Sequence, residues 1–343
     1  MRRSGGLLIA ATIGWLTVLA GLAAFVGSIG SEPTGSVTPS GSSDLGSPIA
    51  SSGPSSAAAS APASPSDGSP APSASSAEQT ATLVGAGDVA SCGLEADSAT
   101  AALVITIPGT VFTAGDNAYD SGTADEFATC FEPTWGAFKS RIRPAAGNHD
   151  WNTADAAGYL GYFGDAAVNA DGRTWYSYDL GGWHIIVLDS DCVKVGGCEP
   201  DSEQGSWLAA DLAASDARCS LAIWHHPLFS SGFHGGITTS APLWQAVASA
   251  GVDVVLNGHD HDYERFAPQD EAGRAAADGT REFVVGTGGA ALRPFPGGNV
   301  PNSLVRSAIA HGVIELTLQP SGYVWRFRST DDTFSDQGSA ACH

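Results

Sequence analysis

The pentapeptide Asn257-Gly258-His259-Asp260-His261 follows the apolar run 252–256, and its two histidines stand one residue apart. A short Val/Leu run argues a buried strand, and Asn-Gly breaks it. Open α/β sheets place their ligands just past the carboxyl ends of such strands. At this spacing both imidazoles can reach one centre, or each can serve one of two adjacent metals. Four other strand-like runs end similarly: on Gly87-Asp88, on Gly115-Asp116, on Gly147-Asn148-His149-Asp150 and on Trp224-His225-His226. Carboxylates, an amide oxygen and imidazoles form a hard-to-borderline donor set suited to Fe, Mn or Zn. Tyr119, in the same loop as Asp116, adds a phenol whose ordinary pKa is about 10. A strongly acidic metal such as ferric iron can displace that proton. Taken alone, Tyr119 also reads as a partly buried loop aromatic, and the histidine pair as a polar surface loop.

The elements that must position these residues are legible around them. Helices are expected over 95–107, 201–215 and 240–250. Two alternating strands, 175–180 and 183–188, are joined by Gly181-Gly182, a hairpin signal. Further strands are expected over 282–286, 312–318 and 323–328. Mixed strands with interspersed helices predict an α/β domain of packed sheets flanked by helices. Other candidates take plainer readings. His184 lies within a strand, His226 is expected to point away from the metals by strand alternation, and Asp189 and Asp191 read as turn residues. Gly286-Thr287-Gly288-Gly289 lacks a phosphate-loop lysine and reads as a turn bordering the cleft.

The 343 residues carry a net charge of −21, which disfavours nucleic acid as a main partner. It leaves room for a small phosphorylated substrate held by metal, because cations reverse the local field. Residues 1–30 hold Arg2 and Arg3 followed by an uncharged apolar run from Leu7 to Ile29, a signal peptide or a signal anchor. A signal core is usually ~7–15 apolar residues and a membrane helix ~20, so a retained anchor is favoured. Either form places the rest on the extracellular side, secreted or membrane-anchored. Residues 31–80, nearly all Ser, Ala, Pro, Gly and Thr, are expected to be a disordered linker with a reach of roughly 40 Å. Residues 81–343 are expected to form one domain, which carries all of the candidate residues above. Its six cysteines show no CxxC spacing and read as disulfides; Cys192 and Cys198 could close a short loop.

Taken together, the runs resemble the metallophosphoesterase (calcineurin-like phosphoesterase) superfamily, and more closely its purple acid phosphatase branch. The branch pattern is GDxG, GDxxY, GNH(D/E), a strand ending in His, and GHxH. It stands here as Gly87 to Ala90, Gly115 to Tyr119, Gly147 to Asp150, Trp224-His225 and Gly258 to His261, with Ala90 replacing a glycine. The tyrosine distinguishes the branch, and the histidine that other superfamily members carry after the first aspartate is absent. The resemblance implies a four-layer αββα sandwich with a binuclear site at strand carboxyl ends. It implies that Asp88, Tyr119 and His261 hold a ferric ion. Asn148, His225 and His259 would hold a divalent Fe, Zn or Mn, with Asp116 bridging. His149 resembles the substrate-facing histidine, Asp150 is expected to fix its tautomer, and His234 matches an outer histidine. The implied reaction is in-line attack on a phosphomonoester by hydroxide held on the metals, with His149 or His234 protonating the leaving alcohol. A phosphodiesterase or nucleotidase would use the same site. A non-catalytic surface-binding module would lack a ligand, and all seven are present.

Overall fold

The long apolar runs become strands buried on both faces. The computed structural model describes residues 80–343, so the expected leader, and the linker up to residue 79, lie outside the described residues. In chain order the strands begin with β1 (Ala81–Ala86), β2 (Ala90–Ser91), β3 (Thr110–Ala114), β4 (Ala118–Tyr119) and β5 (Ile142–Ala145). Then follow β6 (Tyr176–Leu180), β7 (Trp183–Val187), β8 (Cys219–Ile223), β9 (Val254–Asn257) and β10 (Tyr263–Phe266). The last are β11 (Arg281–Val285), β12 (Ser303–Ser307), β13 (Gly312–Gln319), β14 (Gly322–Ser329) and β15 (Ser335–Ala341). The helices are α1 (Ala96–Thr106), the short α2 (Ala124–Glu126), α3 (Ala157–Phe163), α4 (Glu203–Ala214) and α5 (Ala241–Ser249).

One sheet runs β15-β14-β13-β1-β3-β5 and the other β12-β10-β11-β9-β8-β7-β6. Within the first, β1, β3 and β5 are parallel; within the second, β7, β8, β9 and β11 are parallel. Parallel strands send their carboxyl ends to one edge, which is what gathers residues from separate parts of the chain. Strand alternation divides the second sheet between two cores. Leu221, Ile223, Val254 and Leu256 join Leu83, Val111 and Leu316 of the first sheet. Ala222, Trp224 and Val255 face Leu208 of α4 and Leu243, Trp244 and Val247 of α5. With both faces covered, the strands read as continuous apolar runs rather than alternating ones. The first sheet is covered by α1 and by a stretch of short helices bearing Phe127, Phe131 and Trp135. The layers are therefore helix, sheet, sheet, helix, as expected.

The hairpin, the three longer helices and the three late strands form where they were expected. β10, β12 and β15 were not anticipated. β15 carries Ser-Asp-Gln-Gly-Ser-Ala-Ala, which has no apolar pattern, and is held as an edge strand through its full register on β14. Disulfides join Cys92 to Cys130, Cys192 to Cys198 and Cys219 to Cys342. Among the described residues no helix is long and apolar enough to cross a membrane.

Candidate metal centre

Asp88 and Asp116 each stand two residues past a strand end, in the left-handed region of the backbone (φ 58° and 50°), and His259 does the same at φ 70°. Such conformations cost about 1 kcal/mol or more for a non-glycine residue and persist where the surroundings impose them. The glycine before each ligand is a packing requirement. A Cβ on Gly115, itself at φ 84°, would lie 2.4 Å from the His225 ring, and one on Gly258 would lie 2.6 Å from Asp88 Oδ2. The ligand loops pack backbone against side chain too closely for anything larger.

All seven expected ligands converge. The Tyr119 hydroxyl lies 2.7 Å from Asp88 Oδ1, 3.0 Å from Asp116 Oδ2 and 3.2 Å from His261 Nε2. Across Asp116, His225 Nε2 lies 3.3 Å from the same Oδ2, 3.1 Å from Asn148 Oδ1 and 3.3 Å from His259 Nδ1. Two imidazoles have their orientation fixed from behind: His225 Nδ1 donates to Ala114 O (2.8 Å) and His261 Nδ1 to Ala291 O (2.9 Å). Carbonyl acceptors of this kind set the tautomer that leaves Nε2 free for a metal.

The electrostatics fit the same donor set. Burial alone would raise both carboxyls. Against that burial, the charge and hydrogen bond of His225 act at Asp116 together with His149. The hydrogen bond and charge of His261 act at Asp88 together with the charge of His225. Their sums prevail, so both lie below the usual range. Burial works to lower His225, but Asp116 wins and pushes it up to about 10. Burial, then the charges of Asp116 and Asp88, hold Tyr119 well above the ordinary phenol value. Residues of these types, aimed at two points with one carboxylate oxygen common to both, fit two metal ions.

His149 and His234 flank this group. His149 Nδ1 donates to the Asp120 carbonyl at 2.6 Å, and its Nε2 lies 3.8 Å from Asp116 Oδ2. Asp150 is therefore not the group that fixes the His149 tautomer. Its carboxylate accepts from Gly147 N, Asn117 N and Asn117 Nδ2, clamping the Asp116 and Asn148 loops together. Burial, then Asp116, push its carboxyl up to about 7. His234 stacks on His259 (ring centroids 4.4 Å apart, 30°), with Nδ1 3.1 Å from the His259 carbonyl. Its Nε2 accepts from Arg293 at 2.5 Å and is engaged there rather than turned to a leaving group.

Sequence reasoning turned His226 away from the metals. Its ring in fact lies 4.5 Å from that of His259, and nitrogens of His225, His226 and His259 lie within 4.8 Å of one another. β8 ends at Ile223, so alternation does not extend to His226; the strand's length was the missing signal. Burial, then His225, push His226 down to about 3. Arg293 and the way the 228–236 loop around His234 is held were not anticipated. Asp260, between the two ligand histidines, accepts from His234 N, Gly235 N and the Ser230 hydroxyl, while Glu264 accepts from Ser231 N and Oγ. Buried carboxylates thus hold the loop by its amides. Gly288 N donates to Gly87 O, so the glycine-rich turn does border the site.

The family model of the calcineurin-like phosphoesterases matches residues 86–263, just over half of the chain. Purple acid phosphatase 21 of Arabidopsis thaliana is 27% identical over 237 residues, covering 61% of this chain and 53% of the relative. Purple acid phosphatase 22 of the same plant is 27% identical over 167 residues, covering 41% and 37%. The structure of purple acid phosphatase PPD1 from yellow lupin (Lupinus luteus) seeds superposes with a TM-score of 0.62 at 19% identity, covering 77% of this chain and 54% of that one. The chain thus spans about half or less of these relatives' lengths. The match runs through the strand ends that carry Asp88, Asp116, Asn148, His225, His259 and His261, and the chain belongs to the calcineurin-like phosphoesterase family.

Proposed function

We propose that the chain is a binuclear-metal phosphatase that hydrolyses phosphomonoesters, of the purple acid phosphatase kind. One observation carries the reading: Asp116 Oδ2 lies 3.0 Å from the Tyr119 hydroxyl and 3.3 Å from His225 Nε2, an oxygen common to two donor groups. Asp88, Tyr119 and His261 would hold a ferric ion on one side. Asn148, His225 and His259 would hold a divalent Fe, Zn or Mn on the other. Bound there, the metals supply positive charge to the phosphoryl oxygens and acidify a water at neutral or lower pH. His149 sits beside the shared carboxylate with Nδ1 tied to the Asp120 carbonyl, so Nε2 is the atom that faces substrate. A proton held at that Nε2 is the one delivered to the leaving oxygen. His234, engaged by Arg293, is not assigned that step. Asp150 keeps the two loops in register and touches no substrate.

Three disulfides and the expected leader support an oxidising, extracellular location. The test is the full chain loaded with iron and zinc and assayed on an aryl phosphomonoester and the matching diester. Two metals per chain and turnover of the monoester are expected. Hydrolysis of the diester alone would move the assignment to a phosphodiesterase, and turnover independent of metal would end it.

A further inference from the structure

We infer that Arg293 reads a second anionic group on the leaving side of the substrate. The site would then favour phosphoanhydrides, whose leaving group is itself a phosphate, over phosphomonoesters of neutral alcohols. The inference rests on the phosphatase reading and adds the class of leaving group to it.

Arg293 is placed by the metal pole. Its amide donates to the carbonyl of ligand His261, whose ring in turn donates to the Ala291 carbonyl, so 291–293 is fastened on both sides of that histidine. From there the side chain crosses to the 228–236 loop. The guanidinium lies over the Phe233 ring at 5.3 Å, and Nη1 donates to His234 Nε2. His234 is stacked on His259, so the guanidinium stands one ring outward from a metal ligand.

No carboxylate among the described residues pairs with Arg293. Among the described residues the arginine ion pairs belong to Arg173, Arg265, Arg274 and Arg328, in a chain carrying net −21. Its side-chain hydrogen bond goes to a neutral ring nitrogen, which takes one of five donors. A half-buried guanidinium that spends one donor and meets no carboxylate offers a planar fork to an anion from outside. Phosphate oxygens suit that fork, and charge-assisted pairs of this kind are the strong ones.

The reaction balances as a hydrolysis. The water oxygen bonds to the terminal phosphorus, and the bond from that phosphorus to the bridging oxygen breaks. The electron pair stays on the bridging oxygen, which takes the proton held at His149 Nε2. The proton given up by the water passes to bulk solvent, from which His149 is reprotonated. The leaving phosphate then carries the charge that Arg293 meets. A neutral alcohol gives the guanidinium nothing to bind.

The experiment compares pyrophosphate with an aryl phosphomonoester, using metal-loaded full-length wild type, Arg293→Ala and Arg293→Lys. Binding of methylenediphosphonate and of methylphosphonate is measured by calorimetry on the same samples. Arg293→Ala should lower kcat/KM for pyrophosphate about ten- to a hundredfold, mainly through KM, and that for the monoester less than about threefold. Affinity for methylenediphosphonate should fall while that for methylphosphonate holds, and Arg293→Lys should recover part of both losses. Equal losses on the two substrates would mean that Arg293 only props His234, and no loss on pyrophosphate would mean that it reads no anion; either overturns the inference. Should wild type turn over neither substrate yet lose methylenediphosphonate affinity in Arg293→Ala, the phosphatase reading fails and the anion site stands.

Discussion

Around Asp116 the expected ligands Asp88, Asp116, Asn148, His225 and His259 sit two or three residues past the ends of β1, β3, β5, β8 and β9, all of which but β5 are paired on both sides. Around His234 and Arg293 the side chains come from two long loops, held by buried carboxylates and by contacts with each other. The first region is positioned by the fold and the second by a local network. Strand ends hold a geometry that must not vary, whereas loops can change which molecule is admitted. Damage to the metal pole should therefore abolish turnover, and damage to the rim should redirect it.

The largest effect is expected from His225→Ala and Asn148→Ala. Each should lose one metal and about a hundred- to a thousandfold in turnover, with an unchanged circular dichroism spectrum. Metal content near two per chain and a near-normal rate in both would erase the distinction between pole and rim. Tyr119→Phe comes next. Because the phenol lies well above its ordinary pKa, its proton should leave only when iron binds, giving a tyrosinate-to-iron absorption band that the variant lacks. Activity should fall less than in His225→Ala, since Asp116 and the other side stay intact. Colourless iron-loaded wild type would remove the ferric assignment.

Glu264→Gln probes the rim alone. It weakens the hold on Ser231 and should change turnover about two- to tenfold while metal content stays at the wild-type level. Loss of metal in this variant would show that rim and pole are one unit. The smallest effect lies far from both, at His184 in β7, whose ring meets Asp211 at 2.7 Å. The Asp211 hydrogen bond raises the His184 pKa against the opposing effect of burial. A raised histidine contributes stability that is fully present below its unfolded value of about 6.5 and is lost as pH rises through the folded value. Asp211→Asn should therefore cost about 1 kcal/mol, roughly 2–4 °C in Tm, at pH 5.5 and less at pH 9, with activity unchanged.

The same division governs how far the sequence could be read. Every expected metal ligand but Tyr119 follows the end of an apolar run, so Asp88, Asp116, Asn148, His225, His259 and His261 were marked by a change of composition close to the residue itself. Tyr119 gained meaning only from the pattern of the others. His226 was misread because a period of two was carried past the end of β8. Asp150 was misread because sequence adjacency to His149 stood in for contact; its carboxylate turns to Asn117 instead. Arg293 gave no signal, since its partners His234 and Phe233 lie in a different loop. β10 escaped notice because Glu264 and Arg265 break the apolar pattern, although Glu264 is buried and spent on a loop amide.

The position of β1 bears on the order in which the chain can assemble. β1 pairs with β3 on one side and, antiparallel, with β13 on the other, and β13 lies more than two hundred residues downstream. As the chain emerges from the ribosome, β1 and β3 can meet early, but one edge of β1 stays open until nearly the whole domain has been made. Pairing over such a separation is slow, because the loop must close before any contact rewards it. Asp88 hangs from the end of β1, so the metal pole matures last even though half of its ligands are synthesised first. An open apolar edge during that wait invites pairing with another chain. The folding yield of this protein should therefore depend more on how quickly its C-terminal strands arrive than on any residue of the metal site.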